Sequence, residues 1–348
     1  MNNRALLKYH SIFGIIAGSF LFIIGLTGSV LVFNEEIDAA IFKKYEARGY
    51  PEAFNLDAAV ANVQKEYPEW NTRIIHLKKG ETFVFNLRRP EARKLVFAHP
   101  GSGEITGEID EHTHVTKWLL KLHYALHAGI IGRILVLVTG ILFLFSIITG
   151  IVLYRKVFFR TLLFRTKIKK NNKQAYYSGL HRYVGVWALL LNLVLVITGI
   201  FLGYKVVQAG FKKASEPHPP QLAISLETAL GRLTEEHPDF KAEYIRLPSN
   251  ETSGVVINGL FNDDPFYYSM HYNKIQLNYK TGKEEKVVKI ADKPLSYRLD
   301  SMITPLHFGQ FAGIFGKILY AIVGLSGPFL SITGFVIWRL RLKKKKKK

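Results

Sequence analysis

Four long apolar stretches dominate the pattern of hydrophobic and polar positions along the chain. They span residues 11–33, 134–154, 183–204 and 318–338, and each contains almost no charged side chain. A helix that rises about 1.5 Å per residue crosses a hydrocarbon core of about 30 Å in about 20 residues. The pattern therefore predicts four transmembrane helices. No small-residue cleavage site follows the first stretch, so we interpret it as an uncleaved anchor and not as a signal peptide.

Two polar segments, at 34–120 and 206–305, connect the first helix to the second and the third to the fourth. Each segment contains a short amphipathic helix, at 56–67 and at 225–237. Stretches with the composition of β-strands follow these helices at 82–87, 94–98, 255–258, 267–271 and 276–279. The segments are therefore predicted to be two small α+β domains.

The chain repeats itself at its membrane helices. A His-x-x-x-Gly motif opens the first and third apolar stretches, at His10 and His181, and a Thr-Gly pair follows whose glycine lies 18 positions after the histidine. A Leu-His pair precedes the second and fourth stretches, at His123 and His307, and both of these stretches also contain Thr-Gly. The unit of helix, polar segment and helix is used twice in the same orientation. This tandem parallel repeat predicts a pseudo-two-fold axis along the membrane normal.

Charge indicates the orientation of the helices. The chain carries 47 basic and 27 acidic residues, and 19 of the excess of 20 positive charges lie in 1–10, 155–182 and 339–348, which contain no acidic residue. Short basic segments next to transmembrane helices stay in the cytoplasm. Both termini and the loop between the second and third helices are therefore predicted to be cytoplasmic, and the two polar segments to be outside. Anionic lipid head groups of the bilayer are the natural partner for this charge, and nucleic acid is not expected.

The absence of cysteine narrows the possible chemistry. Without cysteine the chain has no disulfide, no iron–sulfur cluster, no thiolate zinc site and no covalently attached c-type haem. It also has no glycine-rich phosphate loop and no nicotinamide or flavin fingerprint. Any electron donor must therefore be external, either a membrane quinol or a separate reductase.

Histidines at the ends of the apolar stretches are the candidate site residues, since ionisable residues near a bilayer are rare and often functional. The repeat relates His10 to His181 at the cytoplasmic side and His123 to His307 at the outer side. A two-fold axis would bring each pair face to face, and two facing imidazoles can supply both axial ligands of a b-type haem. The sequence therefore predicts haem b, with two haems expected and one possible.

The outer pair leaves a choice between two histidines. His127 follows His123 by four residues, so on a continuous helix both would lie on one face. His127 would be the deeper of the two, although its repeat counterpart is Phe311. We predict that His307 pairs with His127, and we retain His123 as an alternate ligand or an outer electron relay.

Two basic residues lie further along the second and fourth helices. Arg133 and Lys317 are repeat equivalents. They either pair with haem propionates or extend their long side chains to the membrane surface, and the second interpretation is slightly favoured. Gly14 and Gly185 either leave room for a flat macrocycle or allow close packing of helices.

The His-x-x-x-Gly opening, the Leu-His pairs, the Thr-Gly pairs and the helix-plus-strand segments together resemble the PepSY-associated transmembrane family over essentially the whole chain. The resemblance implies a multi-pass protein of the bacterial inner (cytoplasmic) membrane with two periplasmic PepSY-like domains. Family members are often linked to iron uptake, and some are haem-containing reductases of ferric siderophores. Many others have no assigned activity, so the resemblance describes the fold better than the reaction.

The predicted fold class is thus a membrane α-helical bundle of four transmembrane helices with two small α+β periplasmic PepSY-like domains. The predicted order is helix 1 at 1–33, domain 1 at 34–120, helix 2 at 121–155, a basic loop at 156–180, helix 3 at 181–205, domain 2 at 206–305, helix 4 at 306–339 and a Lys-rich tail at 340–348.

The predicted function is transmembrane electron transfer to a periplasmic ferric complex such as a ferric siderophore, which releases Fe(II) for uptake. The basic clusters Lys78-Lys79 and Arg88-Arg89 either attract an anionic iron complex or are ordinary surface charge. One alternative is a non-enzymatic, membrane-anchored module that binds peptides or regulates proteases, but it gives no reason for matched histidines. Another is a transporter, although the apolar spans contain no acidic residue.

Overall fold

The computed structural model describes residues 3–47, 52–90, 92–213, 215–309, 311 and 313–345. Residues 346–348 of the predicted tail lie outside this part. Contacts divide the chain into two units. The first, here called the helix bundle, comprises Met1–Glu35, Leu119–Lys212 and Leu306–Lys348; the second, the sheet body, comprises Glu36–Trp118 and Lys213–Pro305.

The described residues form eleven α-helices and eight strands. The helices are α1 Asn3–Leu31, α2 Asn34–Phe42, α3 Leu56–Glu66, α4 Val115–Ala125, α5 Gly129–Tyr154, α6 Phe158–Leu162, α7 Lys173–Trp187, α8 Leu189–Phe211, α9 Leu226–Glu236, α10 Leu295–Phe308 and α11 Gly313–Lys345. The strands are β1 Asn71–His76, β2 Phe83–Arg88, β3 Arg93–Ala98, β4 Ile105–Asp110, β5 Phe240–Arg246, β6 Val255–Phe261, β7 Asn273–Leu277 and β8 Glu284–Val288.

Helices α1, α5, α8 and α11 are each long and apolar enough to cross a membrane, so the prediction of four membrane helices is confirmed. Helix α1 packs against α5 and α11, α5 packs against α8, and α11 also packs against α7. At the contact of α1 with α11, a Cβ atom added to Gly25 would lie 2.4 Å from Cδ of Pro328. Small residues allow this close approach, as is common between membrane helices.

The predicted continuous helices 121–155 and 306–339 are wrong because the chain breaks before each apolar span. Helix α4 ends at Ala125, and Leu126 and His127 have φ angles of 49° and 53°, in the left-handed region that interrupts a helix. Helix α10 ends before Gly309, whose φ is 67°. The predicted third helix, 181–205, begins earlier, at Lys173, and is divided at Ala188.

The two polar segments are not two separate domains, because their strands join in a single eight-stranded sheet. The strand order is β4-β3-β2-β1-β5-β6-β7-β8. Strands β1 and β5 pair antiparallel at the centre, with Arg73 opposite Arg246 and Ile74 opposite Ile245. Strands β1 to β4 of the first repeat are equivalent to β5 to β8 of the second. If each strand is exchanged for its equivalent, the order read from the opposite end of the sheet is unchanged. The repeat seen in the sequence is therefore present in the sheet as two halves that meet at β1 and β5.

The helices α3 and α9, both predicted, cover one face of this sheet. Their apolar side chains form one core with the strands, and Phe85, Ile245 and Ile257 are fully buried in it. The N-termini of the two helices also bind each other. The carboxylate of Asp57 accepts a hydrogen bond from the backbone N–H of Leu226, and that of Glu227 accepts one from Asp57, at 2.6 and 3.1 Å. Such contacts stabilise helix N-termini.

The strand predictions were partly correct. Strands β2 and β3 were predicted almost completely, and residues 255–258 lie within β6. Residues 267–271 form turns and not a strand, and β1, β4, β5 and β8 were not predicted. The unpredicted strands contain several polar residues each, so their sequences lack a continuous apolar signal.

Candidate functional site

The helix bundle brings four histidines together in two pairs. The imidazole ring of His10 on α1 lies next to that of His181 on α7, with ring centres 6.2 Å apart and the planes at 87°. The ring of His123 on α4 lies next to that of His307 on α10, with centres 6.3 Å apart and the planes at 56°. We call these the first and second histidine pairs. Each pair joins residues related by the sequence repeat.

A threonine of a Thr-Gly pair contacts each of these histidines. The hydroxyl oxygen of Thr149 lies 3.1 Å from Nδ1 of His10, and the equivalent distances are 2.8 Å for Thr333 and His181, 3.2 Å for Thr27 and His123, and 3.0 Å for Thr198 and His307. Each threonine hydroxyl donates to the carbonyl four residues earlier in its own helix. The hydroxyl oxygen therefore accepts a hydrogen bond from the histidine.

Backbone carbonyls determine which ring nitrogen carries the hydrogen. Nδ1 of His10 lies 3.1 Å from the carbonyl oxygen of Ser146, and Nδ1 of His123 lies 2.9 Å from that of Ile24. At His181 and His307, Nδ1 instead contacts the hydroxyl oxygens of Thr333 and Thr198, which accept from the ring because their own hydrogens are donated within the helix. A carbonyl oxygen only accepts hydrogen bonds, so Nδ1 must be the protonated nitrogen. In the neutral ring, Nε2 then keeps its lone pair and is able to bind a metal.

The glycine of each Thr-Gly pair makes room for the imidazole. A Cβ atom added to Gly28 would lie 2.9 Å from Cε1 of His123, and one added to Gly199 would lie 3.1 Å from Cε1 of His307. The corresponding distances at the first pair are longer, 3.4 Å from Gly150 to His10 and 3.5 Å from Gly334 to His181. In the repeated Thr-Gly motif, the threonine thus orients a histidine of a neighbouring helix and the glycine leaves space for its ring.

A pocket adjoins the first histidine pair. Both histidines line it, and Gly14 and Gly185 leave its walls without side chains. Two polar atoms of the lining, Oγ of Ser146 and Nε of Arg182, are buried without a hydrogen-bond partner among the described residues. An apolar pocket with unsatisfied polar groups is the kind of cavity that a cofactor with polar substituents fills.

The ring separations also fit a pair of axial ligands. Each metal–imidazole bond is about 2 Å long, so the two bound nitrogens are about 4 Å apart and the ring centres about 6 Å apart. The observed separations of 6.2 and 6.3 Å agree with this value. The residues of both pairs therefore fit a metal held between two imidazoles, as in a b-type haem.

The structure corrects the prediction for the second pair, because His123 and not His127 has its ring against His307. His127 does not share a helix face with His123. Helix α4 ends at Ala125, and His127 is exposed in the following turn. The left-handed backbone of this turn was not recognisable from the sequence.

The two predicted basic residues have partners within the helix bundle. The ammonium group of Lys317, a residue only 5 % exposed, donates to a carboxylate oxygen of Glu35 at 2.8 Å. The guanidinium of Arg133 donates to the backbone carbonyl of Val206 at 3.2 Å and lies over the ring of Tyr124. Both residues connect neighbouring elements of the bundle.

A group of possible metal ligands also occurs in the sheet body. Side chains of Glu236, His237 and Glu284 offer ligand atoms within 4.8 Å of one another, and Nε2 of His237 lies 2.7 Å from a carboxylate oxygen of Glu284. Both glutamates are exposed. The ion pair accounts for this contact without a metal.

Sequence reasoning identified the Thr-Gly pairs as part of the repeat but assigned them no role. It also missed Ser146 and Arg182. The available signal was the constant spacing of 18 positions between the histidine and the glycine of Thr-Gly in the first and third apolar stretches. This spacing places the histidine near the start of an apolar stretch and the Thr-Gly pair near its end. With two antiparallel helices side by side, the end of one lies next to the start of the other.

Comparison with known proteins identifies the family of the chain. The model of the PepSY-associated TM region matches residues 7–341, and the chain belongs to this family. No curated protein matches the chain.

Proposed function

We propose that this member of the PepSY-associated transmembrane family is a haem-b electron-transfer protein that reduces a ferric complex, such as a ferric siderophore, and so releases Fe(II) for iron uptake. The observation that carries the proposal is the meeting of repeat-related histidines in two pairs at axial-ligand separation. Haem, when bound, supplies a reversible one-electron carrier. Added to Fe(III), one electron gives Fe(II), which hard oxygen donors hold less tightly.

The residues of the chain would hold and tune this cofactor. Nε2 of His10 and of His181 would be the ligands of the first site, and Nε2 of His123 and of His307 those of the second. The Nδ1–H bonds to carbonyl and threonine oxygens fix the ring orientation and raise the basicity of Nε2. Arg182 and Ser146 would provide hydrogen-bonding groups beside the first site.

We further propose that the protein lies in the bacterial inner membrane with both termini in the cytoplasm and the sheet body in the periplasm. The support is the concentration of basic residues next to the membrane helices. In this orientation the first histidine pair lies towards the cytoplasmic side. The reductant would be a quinol in the membrane or a separate reductase.

An absorption spectrum of the purified full chain tests the proposal. Protein produced with ample haem is expected to show a Soret band and, after reduction with dithionite, sharp α bands. The reduced protein is then expected to reoxidise when a ferric chelate is added, with formation of Fe(II). A folded but colourless preparation would contradict the proposal and favour the peptide-binding module.

The threonine bonded to His181 provides a test of positioning. Thr333→Val removes one acceptor from Nδ1–H, which lowers the basicity of Nε2 and should raise the midpoint potential of the first haem. The expected shift is about 60 mV for each tenfold change in relative affinity for the two oxidation states. Redox titration followed by absorption measures it.

Thr139→Val is the matched control for this substitution. Thr139 is also buried in the bundle, but its hydroxyl donates to the carbonyl of Leu135 in its own helix. The control should leave both potentials unchanged. An equal shift in the two variants would mean that the threonine bond to His181 does not tune the site.

The glycines of the Thr-Gly pairs provide a second test, because substitution by alanine should affect haem binding differently at equivalent positions. Gly28→Ala would push on the ring of His123 because the new Cβ lies 2.9 Å from Cε1, whereas Gly334→Ala reaches only ordinary contact with His181 at 3.5 Å. We expect the first substitution to weaken haem binding at the second pair by roughly ten- to hundredfold and the second to have little effect. The haem content per chain measures both, and equal losses would contradict this account.

A further inference from the structure

One face of the eight-stranded sheet carries a group of basic side chains close to the line where its halves meet. Successive residues of a strand point to opposite faces, and Ile74, Leu87, Ile245 and Ile275 point towards the core under α3 and α9. Their sequence neighbours therefore point to the other face. We call this set the cationic face; it consists of Arg73, Arg88, Arg246, Lys274 and the nearby His271.

These groups lie next to one another on adjacent strands. Arg73 on β1 is directly opposite Arg246 on β5, and Arg88 on β2 lies two positions further along from Asn86, the residue opposite Arg73. The ring of His271 contacts that of Tyr244, whose hydroxyl accepts a hydrogen bond from Arg73 at 3.2 Å.

The charges of the cationic face repel one another. Partial burial, followed by the charges of Arg73 and Arg93, lowers the pKa of Arg88 to about 10. Partial burial, with Arg73 next in effect, also lowers the pKa of Arg246. The pKa of His271 is lowered by its partial removal from water and then by Arg246, Arg73 and Arg88. Each of these charges therefore destabilises its neighbours unless a negative charge lies between them.

The described residues of the sheet body supply little negative charge at this face. Glu111 is the acidic group that acts on Arg88, but its carboxylate already accepts a hydrogen bond from Asn86 and lies 3.8 Å from Arg93. Nε of Arg246 and Oδ1 of the buried Asn258 are without hydrogen-bond partners within the described part of the chain. Buried polar groups of this kind are rare unless something else satisfies them.

We propose that the cationic face binds a small oxyanion with two or more carboxylate or phosphate groups, held between Arg73, Arg88 and Arg246. Guanidinium groups match such oxygens because their N–H groups form planar, paired hydrogen bonds. Citrate carries three carboxylate groups and is the probe of choice.

Titration of the purified full chain in neutral detergent with citrate, followed by calorimetry, tests the proposal. We expect saturable binding that weakens as ionic strength rises. Arg246→Gln is expected to lower the affinity about tenfold or more, since the substitution removes charge-assisted hydrogen bonds to the anion. Arg89→Gln is the matched control, because Arg89 is paired with Glu69 and stacks over Trp70. It should bind citrate as the natural chain does.

A second measurement distinguishes a binding role from a structural one. Without anion, Arg246→Gln removes a repelling charge and should leave the melting temperature unchanged or raise it. A clear fall in melting temperature, the absence of saturable binding of citrate and of inorganic phosphate, or equal losses for Arg246→Gln and Arg89→Gln would overturn the proposal.

The source of the oxyanion is distinguished in lipid nanodiscs. If the site binds a lipid phosphate, phosphatidylglycerol will compete with citrate and weaken its binding relative to pure phosphatidylcholine. If the ligand is soluble, the affinity will be equal in both lipids. Either result supports an oxyanion site, and neither depends on haem, so failure here would leave the haem spectrum and its interpretation unaffected.

Discussion

Replacing His181 with alanine is expected to abolish haem binding at the first histidine pair, the largest effect that we predict. The substitution removes one of two axial ligands and leaves His10 opposite an enlarged pocket. A site that relies on two imidazoles and has no covalent attachment loses most of its affinity with either of them. About half of the haem absorbance per chain should disappear if both pairs bind haem, and His10→Ala should give the same result.

The control for these variants is His237→Ala. His237 lies in the sheet body and is bonded to Glu284. Its substitution should leave the absorbance unchanged. If His10→Ala and His181→Ala retained the full haem content and the same reduced spectrum, the first pair would not be a ligand pair.

Substitution of His307 or His123 is expected to remove the second haem, whereas His127→Ala should keep it. The ring centres of His123 and His307 are 6.3 Å apart, and Nδ1 of each is fixed by a threonine hydroxyl, with a backbone carbonyl in addition at His123. His127 is exposed in the turn after α4. Haem content and the reduced α bands of the three variants distinguish the two candidate ligands.

His123→Ala and His127→Ala are well matched variants, because the two residues are only four positions apart and have the same side chain. A difference in haem content between them therefore reports the position of the ligand. Loss of a haem in His127→Ala with retention in His123→Ala would show that the ligand is His127 and that the Thr27 contact has no role in binding. Equal losses in both would point to a general effect of the turn on the bundle.

The helices were predictable because their signal is local. Residues 134–154 contain no charged side chain, and such a long, largely apolar stretch must be helical in a bilayer to satisfy its own backbone hydrogen bonds. The repeat gave further information, because the matched motifs around His10 and His181 indicated which residues are equivalent by symmetry. Equivalence under a two-fold axis is enough to suggest that they face each other.

The sheet was less predictable because its strands depend on partners distant in the sequence. Strand β1 contains Arg73 between Thr72 and Ile74, and its pairing with β5 involves residues more than 170 positions away. The cationic face arises only from this pairing. Arg88 and Arg89 look alike as neighbours in the sequence, but only Arg88 belongs to that face, and Arg89 is paired with Glu69.

The sequence by itself determined the four membrane helices, the two-fold repeat and the association of His10 with His181. The tertiary structure alone decided that His123 is the partner of His307, that Lys317 pairs with Glu35, and that both polar segments share one sheet. The reason is physical. Hydrophobic periodicity and repeated motifs are properties of short stretches of chain, whereas a left-handed turn, an ion pair and strand pairing depend on which distant residues come into contact.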